Sequence, residues 1–266
     1  MEYITSKDNS DIKKVAKLIA SKKARDESGL FVCEGLRLCM DGIDSGFAPD
    51  AFFMTQDALD KNAGLSQPAS RCGKAYVISD AVARKLSDTG ATQGVFAVFK
   101  KLDNTESAVT IKSGGNYVLL SALQDPGNVG SIVRSCEAFG LDGLVLSADC
   151  PDIYSAKVLR ASMGGVFRLP IYVCADMAAY IAGLRVKGVT VFAAALTRAA
   201  RPVMEAGFRS PCAVVIGNEG RGLPADIVAA CDASVAIPMP GGAQSLNAGV
   251  AAGIIMWEMK KAAGGL

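Results

Sequence analysis

The apolar run Tyr117-Val-Leu-Leu-Ser-Ala-Leu123 leads straight into Asp125-Pro-Gly-Asn-Val-Gly-Ser-Ile-Val-Arg134, and this junction constrains the fold more than any other segment. A short continuous apolar run bounded by turn residues reads as a strand with both faces covered. Pro126-Gly127 is a turn signal. Asn128 and Ser131 can bond the free N–H groups of a helix start. The helix so opened carries Arg134 one turn inside. A strand that turns directly into a helix belongs to an open α/β sheet, and the carboxyl edge of such a sheet is where ligands bind.

The alternation continues to the C-terminus. Apolar runs predict strands near 117–123, 143–147, 189–195, 212–217 and 233–237, and the pattern predicts helices near 129–139, 176–185 and 246–261. Most of these runs are continuous, as in a parallel sheet. The first hundred residues alternate similarly. Ile12, Val15, Ala16 and Ile19 have helical spacing within 8–22. Strands are expected at Leu30–Cys33, Ala51–Met54, Ala75–Ile78 and Gly94–Phe99, with helices over Glu34–Ser45 and from Ser79-Asp80 to Leu86. Between the blocks, Lys100 to Asn116 is polar and rich in glycine, the composition of a boundary. The expectation is an α/β protein with one domain at 1–105 and a second at 106–266.

Several chemistries are excluded. There is no histidine, and none of the eight cysteines forms a C-x-x-C pair, so no metal site is expected. The cysteines lack a base to activate them and read as reduced residues of a cytoplasmic protein. No G-x-x-x-x-G-K-[ST] occurs, and no G-x-G-x-x-G follows a strand. The N-terminus lacks an apolar signal core, and the longest apolar runs are about half the ~20 residues needed to span a bilayer. A soluble protein without a membrane partner is expected. The formal net charge of +2 is too small to announce nucleic-acid binding, so any basic footprint is local. Lys13, Lys14, Lys17, Lys22, Lys23 and Arg25 form such a run. They are either a solvated helix face or a patch for phosphates.

Two further loops accompany the first. Val214-Val-Ile-Gly-Asn-Glu-Gly-Arg-Gly-Leu-Pro224 ends a strand in glycines interleaved with Asn218, Glu219 and Arg221. Such glycines permit positive φ or close approach of backbone to a ligand. Ile237-Pro-Met-Pro-Gly-Gly-Ala-Gln-Ser-Leu-Asn-Ala-Gly-Val250 ends another, with Ser245 as the expected cap of a helix from Leu246 to Lys261.

In order and content these loops resemble the SpoU/TrmH branch of the SPOUT RNA methyltransferases. Asn128-x-Gly130-x-x-x-Arg134 is similar to that family's first motif, Ile216-Gly-Asn-Glu-Gly220 to its second, and Ile237-Pro-Met with Ser245-Leu-Asn247 to its third. The resemblance extends to Phe31-Val-Cys-Glu-Gly35, Gln93-Gly94 and Lys157-Val-Leu-Arg-Ala-Ser-Met-Gly164, and so spans nearly the whole chain.

The resemblance implies a parallel sheet with a trefoil knot near the C-terminus, preceded by a small α/β RNA-binding domain. It implies S-adenosylmethionine held by Ala195, Leu196, Ile216, Gly217, Asn218, Glu219, Gly220, Ile237, Met239, Ser245 and Leu246. It implies methyl transfer to a ribose 2′-hydroxyl of RNA, ribosomal RNA above tRNA, by a homodimer. A non-catalytic RNA-binding protein and base methylation remain the alternatives. Arg134 takes the critical role by resemblance. A free guanidinium, with a pKa above ~12, is a poor base, so it acts with help from the substrate phosphate or by positioning that phosphate. Asn128, Glu219, Ser245 and Asn247 are expected to orient it and the ribose, with Glu219 the other candidate for the hydroxyl proton.

Overall fold

The computed structural model describes residues 1–88 and 91–264. The chain forms two compact units, Met1–Leu102 with Asp152–Phe167, and Asp103–Pro151 with Arg168–Leu266. The segment Asp152–Phe167 thus packs with the first unit although it follows the first strands of the second in sequence.

The first unit contains β1 (Glu2–Ile4), α1 (Ser10–Ala20), α2 (Lys22–Ser28), β2 (Leu30–Glu34), α3 (Leu36–Asp44), β3 (Ala51–Thr55), α4 (Gln56–Lys61), α5 (Ser66–Arg71), β4 (Ala75–Ile78), α6 (Asp80–Leu86) and β5 (Val95–Lys100). Its sheet has the order β1-β4-β3-β5-β2. β4 runs parallel to β1 and β3, whereas β5 is antiparallel to β3 and β2. The helix expected over 8–22 ends at Ala20, because Ser21 leaves helical geometry (φ −128°) and caps α2 by accepting from the Ala24 N–H. Ile12, Val15 and Leu18 turn α1's apolar stripe into the core.

The second unit begins with β6 (Asn116–Leu120), α7 (Pro126–Ala138) and β7 (Gly143–Ser147). The chain next forms α8 (Ala156–Ser162), which belongs to the first unit. The second unit resumes with β8 (Ile171–Cys174), α9 (Met177–Val186), β9 (Thr190–Ala194), β10 (Arg201–Pro202), β11 (Cys212–Ile216), α10 (Ala225–Ala230), β12 (Ala233–Ala236) and α11 (Ala248–Ala262). The strands form a sheet in the order β10-β12-β9-β11-β6-β7-β8, and every pairing in it is parallel. The α/β class and the parallel second sheet are therefore as expected. β6 and β11 are buried along their whole length, which is why they read as unbroken apolar runs. β8, with only two fully buried residues, and the two-residue β10 carried no comparable signal.

Two helix starts differ from the sequence reading. Asp125, not Asn128 or Ser131, caps α7 by accepting from the Gly127 N–H, and Pro126 takes the first helical position, where its missing donor costs nothing. Arg134 therefore stands in the third turn. Asn247, not Ser245, caps α11, accepting from the N–H groups of Gly249 (2.9 Å) and Val250 (3.2 Å). No helix among the described residues is long and apolar enough to cross a membrane.

Candidate active site

β12, β9 and β11 are neighbours, and their last residues, Ala236, Ala194 and Ile216, open onto one cavity of about 540 Å³ in the second unit. All of the residues expected at the cofactor line it: Ala195, Leu196, Ile216, Gly217, Asn218, Glu219, Gly220, Ile237, Met239, Ser245 and Leu246. Thr197, Leu223, Val228, Ala248, Ala251 and Ile255 line it as well.

The loop after β11 is built by its own side chains. Asn218 Oδ1 accepts from the N–H groups of Gly220 (2.9 Å) and Arg221 (3.0 Å), and the Asn218 and Gly222 main chains bond reciprocally at 3.1 and 2.9 Å. Gly222 has φ +69°, a conformation that favours glycine. Gly217 is required for another reason. A Cβ there would lie 2.5 Å from the carbonyl carbon of Gly222 and 2.6 Å from the Leu223 nitrogen, so only glycine lets the loop close on itself.

Glu219 joins this loop to the first motif. Its carboxylate accepts from Gln124 N–H (2.9 Å), Asp125 N–H (3.1 Å) and Asn128 Nδ2 (2.9 Å). Burial opposes its ionisation, but hydrogen bonds from Asn128 and from backbone N–H groups outweigh that and hold the carboxyl below the usual range. Asn128, buried inside α7, also accepts from Asn247 Nδ2 at 2.8 Å. Asn218 Nδ2 donates to the carbonyl of Ala122 at 2.8 Å, and Ala122 adopts φ +55°, unusual for a residue with a Cβ. The three loops are thus locked by the series Glu219, Asn128, Asn247. The backbone donors at 124 and 125 and the strained Ala122 had no signal in the sequence, because alanine gives no hint of a left-handed conformation.

The remaining expected residues are more open. Ser245 is exposed on the cavity rim, and Arg134 is exposed on α7; neither has a hydrogen-bond or ion-pair partner among the described residues. With the carboxylate of Glu219 committed to three donors, Arg134 is the available charged group of the first motif. The cysteines stay out of the chemistry. All eight are free, and burial pushes the thiols of Cys174 and Cys212 up to about 11 and about 12.

In the first unit, Arg25 corrects the sequence reading. It is buried, its guanidinium paired with Asp152 at 2.6 Å and donating to the carbonyls of Leu18 and Ile19. It ties α1 and α2 to the 152–167 segment and offers nothing to a phosphate. Lys13, Lys22 and Lys23 pair with Asp8, Asp26 and Glu27 at the surface. Lys14 and Lys17 are exposed and have no partner among the described residues.

A parallel sheet whose glycine loops bound a cavity of ligand size, with an unpaired arginine on the adjoining helix, defines a ligand-binding α/β domain. Residues 115–257 match the SpoU rRNA methylase family, and residues 9–97 match the MRM3-like substrate binding domain. The chain belongs to the SpoU rRNA methylase family. It is 29% identical to a 23S rRNA (guanosine(2553)-2′-O)-methyltransferase of Bacillus subtilis, over 98% of this chain and 100% of that protein. It is 27% identical to a 23S rRNA (uridine(2479)-2′-O)-methyltransferase of Streptomyces viridochromogenes, over 96% and 90%. The solved structure of an AdoMet-bound rRNA methyltransferase from Sinorhizobium meliloti superposes with a TM-score of 0.88 at 29% identity, covering 98% of this chain and 97% of that one. The trefoil knot that the resemblance implied goes with this family.

Proposed function

We propose that the protein is an S-adenosylmethionine-dependent methyltransferase acting on a ribose 2′-hydroxyl of ribosomal RNA, of the 23S type. The observation that carries this reading is the Glu219–Asn128–Asn247 lock, which assembles three loops beside one cavity. Relatives named as 23S rRNA 2′-O-methyltransferases match nearly the whole chain.

The cavity suits the cofactor. Its volume is that of a nucleoside-sized site, and its walls combine apolar side chains with strand-end peptide groups. Leu196 (71% exposed) and Leu246 (37%) are large apolar side chains left open on its rim, as expected of walls made to close on a ligand. When bound, S-adenosylmethionine supplies an electrophilic methyl group. The chain's own residues do the rest. The loops at 195–196, 216–220 and 237–246 hold the adenosine and methionine parts. Arg134 positions the substrate phosphate and stabilises the charge that develops on the 2′-oxygen. Asn128, Glu219 and Asn247 fix α7, and with it Arg134, against the loops; Ser245 contacts the ribose or the cofactor from the rim.

Residues 106–266 form the catalytic part of this reading and residues 1–105 the part that holds RNA. A homodimer is part of the proposal. Val250 and Trp257 leave apolar surface exposed on α11, and Arg134 lies on the helix packed against it. Light scattering at micromolar concentration tests the dimer. The activity is tested with methyl-labelled cofactor and total RNA, followed by nucleoside digestion. Label on a 2′-O-methylnucleoside of large-subunit rRNA is expected; label confined to bases, to tRNA or to no RNA would overturn the assignment.

A further inference from the structure

Three segments that resemble the family take no part in the cofactor cavity: Phe31–Gly35, Gln93-Gly94 and Lys157–Gly164. All three lie in the first unit, and there they converge. The Gly35 N–H donates to the Val95 carbonyl at 2.9 Å, and the Leu36 N–H donates to Gln93 Oε1 at 2.9 Å. Gly94 (φ +68°) is pressed against Thr55, where a Cβ would approach Oγ1 to 2.3 Å. Gly164 (φ +80°) is pressed in the same way against Asp41, where a Cβ would approach Oδ2 to 2.4 Å. Around this knot of contacts run two recesses of about 890 and 400 Å³, which share Arg37, Ala91 and Gln93 and so form one groove.

The groove is poor in aromatic side chains and rich in guanidinium groups. Arg37 and Arg84 are exposed on the larger recess, and neither has a hydrogen-bond or ion-pair partner among the described residues. Arg160 lines the smaller recess. Its Nη2 pairs with Asp88 at 2.9 Å, while its Nη1 is buried with no hydrogen-bond partner. Most lining acids are already engaged: Asp57 with Lys61, and Glu34 with the Ser87 hydroxyl and the Asp88 N–H. Asp80 is the lining carboxylate with no partner among the described residues. Gln93 Nε2 and the Thr92 hydroxyl add neutral donors. Unpaired guanidiniums, one free carboxylate and neutral amide donors in a concave surface suit splayed nucleotides. Arginine planes stack on bases and bind phosphates, and the polar groups meet base edges and 2′-hydroxyls.

We propose that this groove, and not the basic run on α1 and α2, is where the protein grips an unpaired strand of its RNA substrate, with Arg37 and Arg84 as its phosphate and stacking contacts. The proposal rests on the reading of the chain as an RNA methyltransferase.

The test uses the full-length protein and three double variants: R37Q/R84Q, R37K/R84K and K14Q/K17Q. Each is titrated with a single-stranded RNA oligonucleotide and with a hairpin duplex of the same composition, over a range of salt. S-adenosylmethionine affinity is measured in parallel as a check on folding and on the enzyme reading. R37Q/R84Q is expected to weaken single-strand binding at least tenfold and to lower the salt slope by about 1.4, at ~0.7 per lost phosphate contact. Cofactor affinity should stay within twofold. R37K/R84K should keep the slope but recover only part of the affinity, since lysine lacks the planar fork. Unchanged single-strand affinity in R37Q/R84Q, a larger loss in K14Q/K17Q, or a preference of the native protein for the duplex would each overturn the proposal. Failure to bind S-adenosylmethionine in the native protein would instead count against the enzyme reading and leave the binding comparison to be judged alone.

Discussion

The Glu219 carboxylate accepts a hydrogen bond from Asn128 Nδ2 at 2.9 Å, across 91 residues of chain. This contact fixes the helix of the first motif to the glycine loop of the second. Asn247 then adds the third through Asn128. A residue that the sequence offered as a candidate base is thereby a clamp between motifs.

Glu219→Gln keeps the shape but removes the charge that makes three donors converge. It can satisfy at most part of them, and a stability loss of about 1–3 kcal/mol is expected. Because the folded carboxyl is held below its unfolded value, its contribution is present above the usual glutamate value of about 4.3 and is lost as pH falls through the folded value. Thermal denaturation between about pH 7 and pH 3 should show this acid loss in the native protein and a shallower profile in Glu219→Gln. Parallel profiles would remove the carboxylate from the lock.

Asn247 serves the helix and the lock with different atoms, so its two roles separate. Asn247→Asp keeps the oxygen that caps α11 but sets an oxygen against Asn128 Oδ1. It should preserve helix content and lower turnover by at least tenfold. Asn247→Ala loses the cap as well, about 1 kcal/mol more. Circular dichroism melts and initial rates on rRNA check both; equal activity of Asn247→Asp and native protein would show the lock to be dispensable.

Gly217→Ala drives a Cβ to within 2.5 Å of the Gly222 backbone, which has no flexible side chain to yield. The loop must open, at a cost of roughly 1–3 kcal/mol. Calorimetry should find S-adenosylmethionine affinity reduced at least tenfold. Gly220→Ala is the contrast, since its Cβ would meet nothing nearer than 3.7 Å and should bind near normally.

Arg134→Ala should reduce turnover by at least a hundredfold, the scale of losing one transition-state donor, with cofactor affinity within a few-fold. Arg134 does not line the cavity proposed for the cofactor and has no partner among the described residues. Arg134→Lys should also fail, because an ammonium lacks the planar fork. If cofactor binding and turnover fall together, the role given to Arg134 is wrong.

The sequence by itself determined the α/β class, the parallel second sheet and the glycine loops at the strand ends that border the cavity. Each is written locally. Continuous apolar runs such as Val214–Ile216 mark strands with both faces covered, and glycines at their ends mark where backbone must approach a ligand. Tertiary structure alone decided the partners. The caps moved from Asn128 to Asp125 and from Ser245 to Asn247, because a polar side chain near a helix start can face its own backbone or a distant neighbour. Asn128 faces Glu219 and Asn247, 91 and 119 residues away, once β6 and β11 lie side by side. Arg25 carried the same charge signal as Lys14 and Lys17, yet it is buried against Asp152, 127 residues on, while they stay exposed. Periodicity says which face of a helix is apolar. Which polar group finds a partner depends on the order of the strands and on what the chain folds back against it.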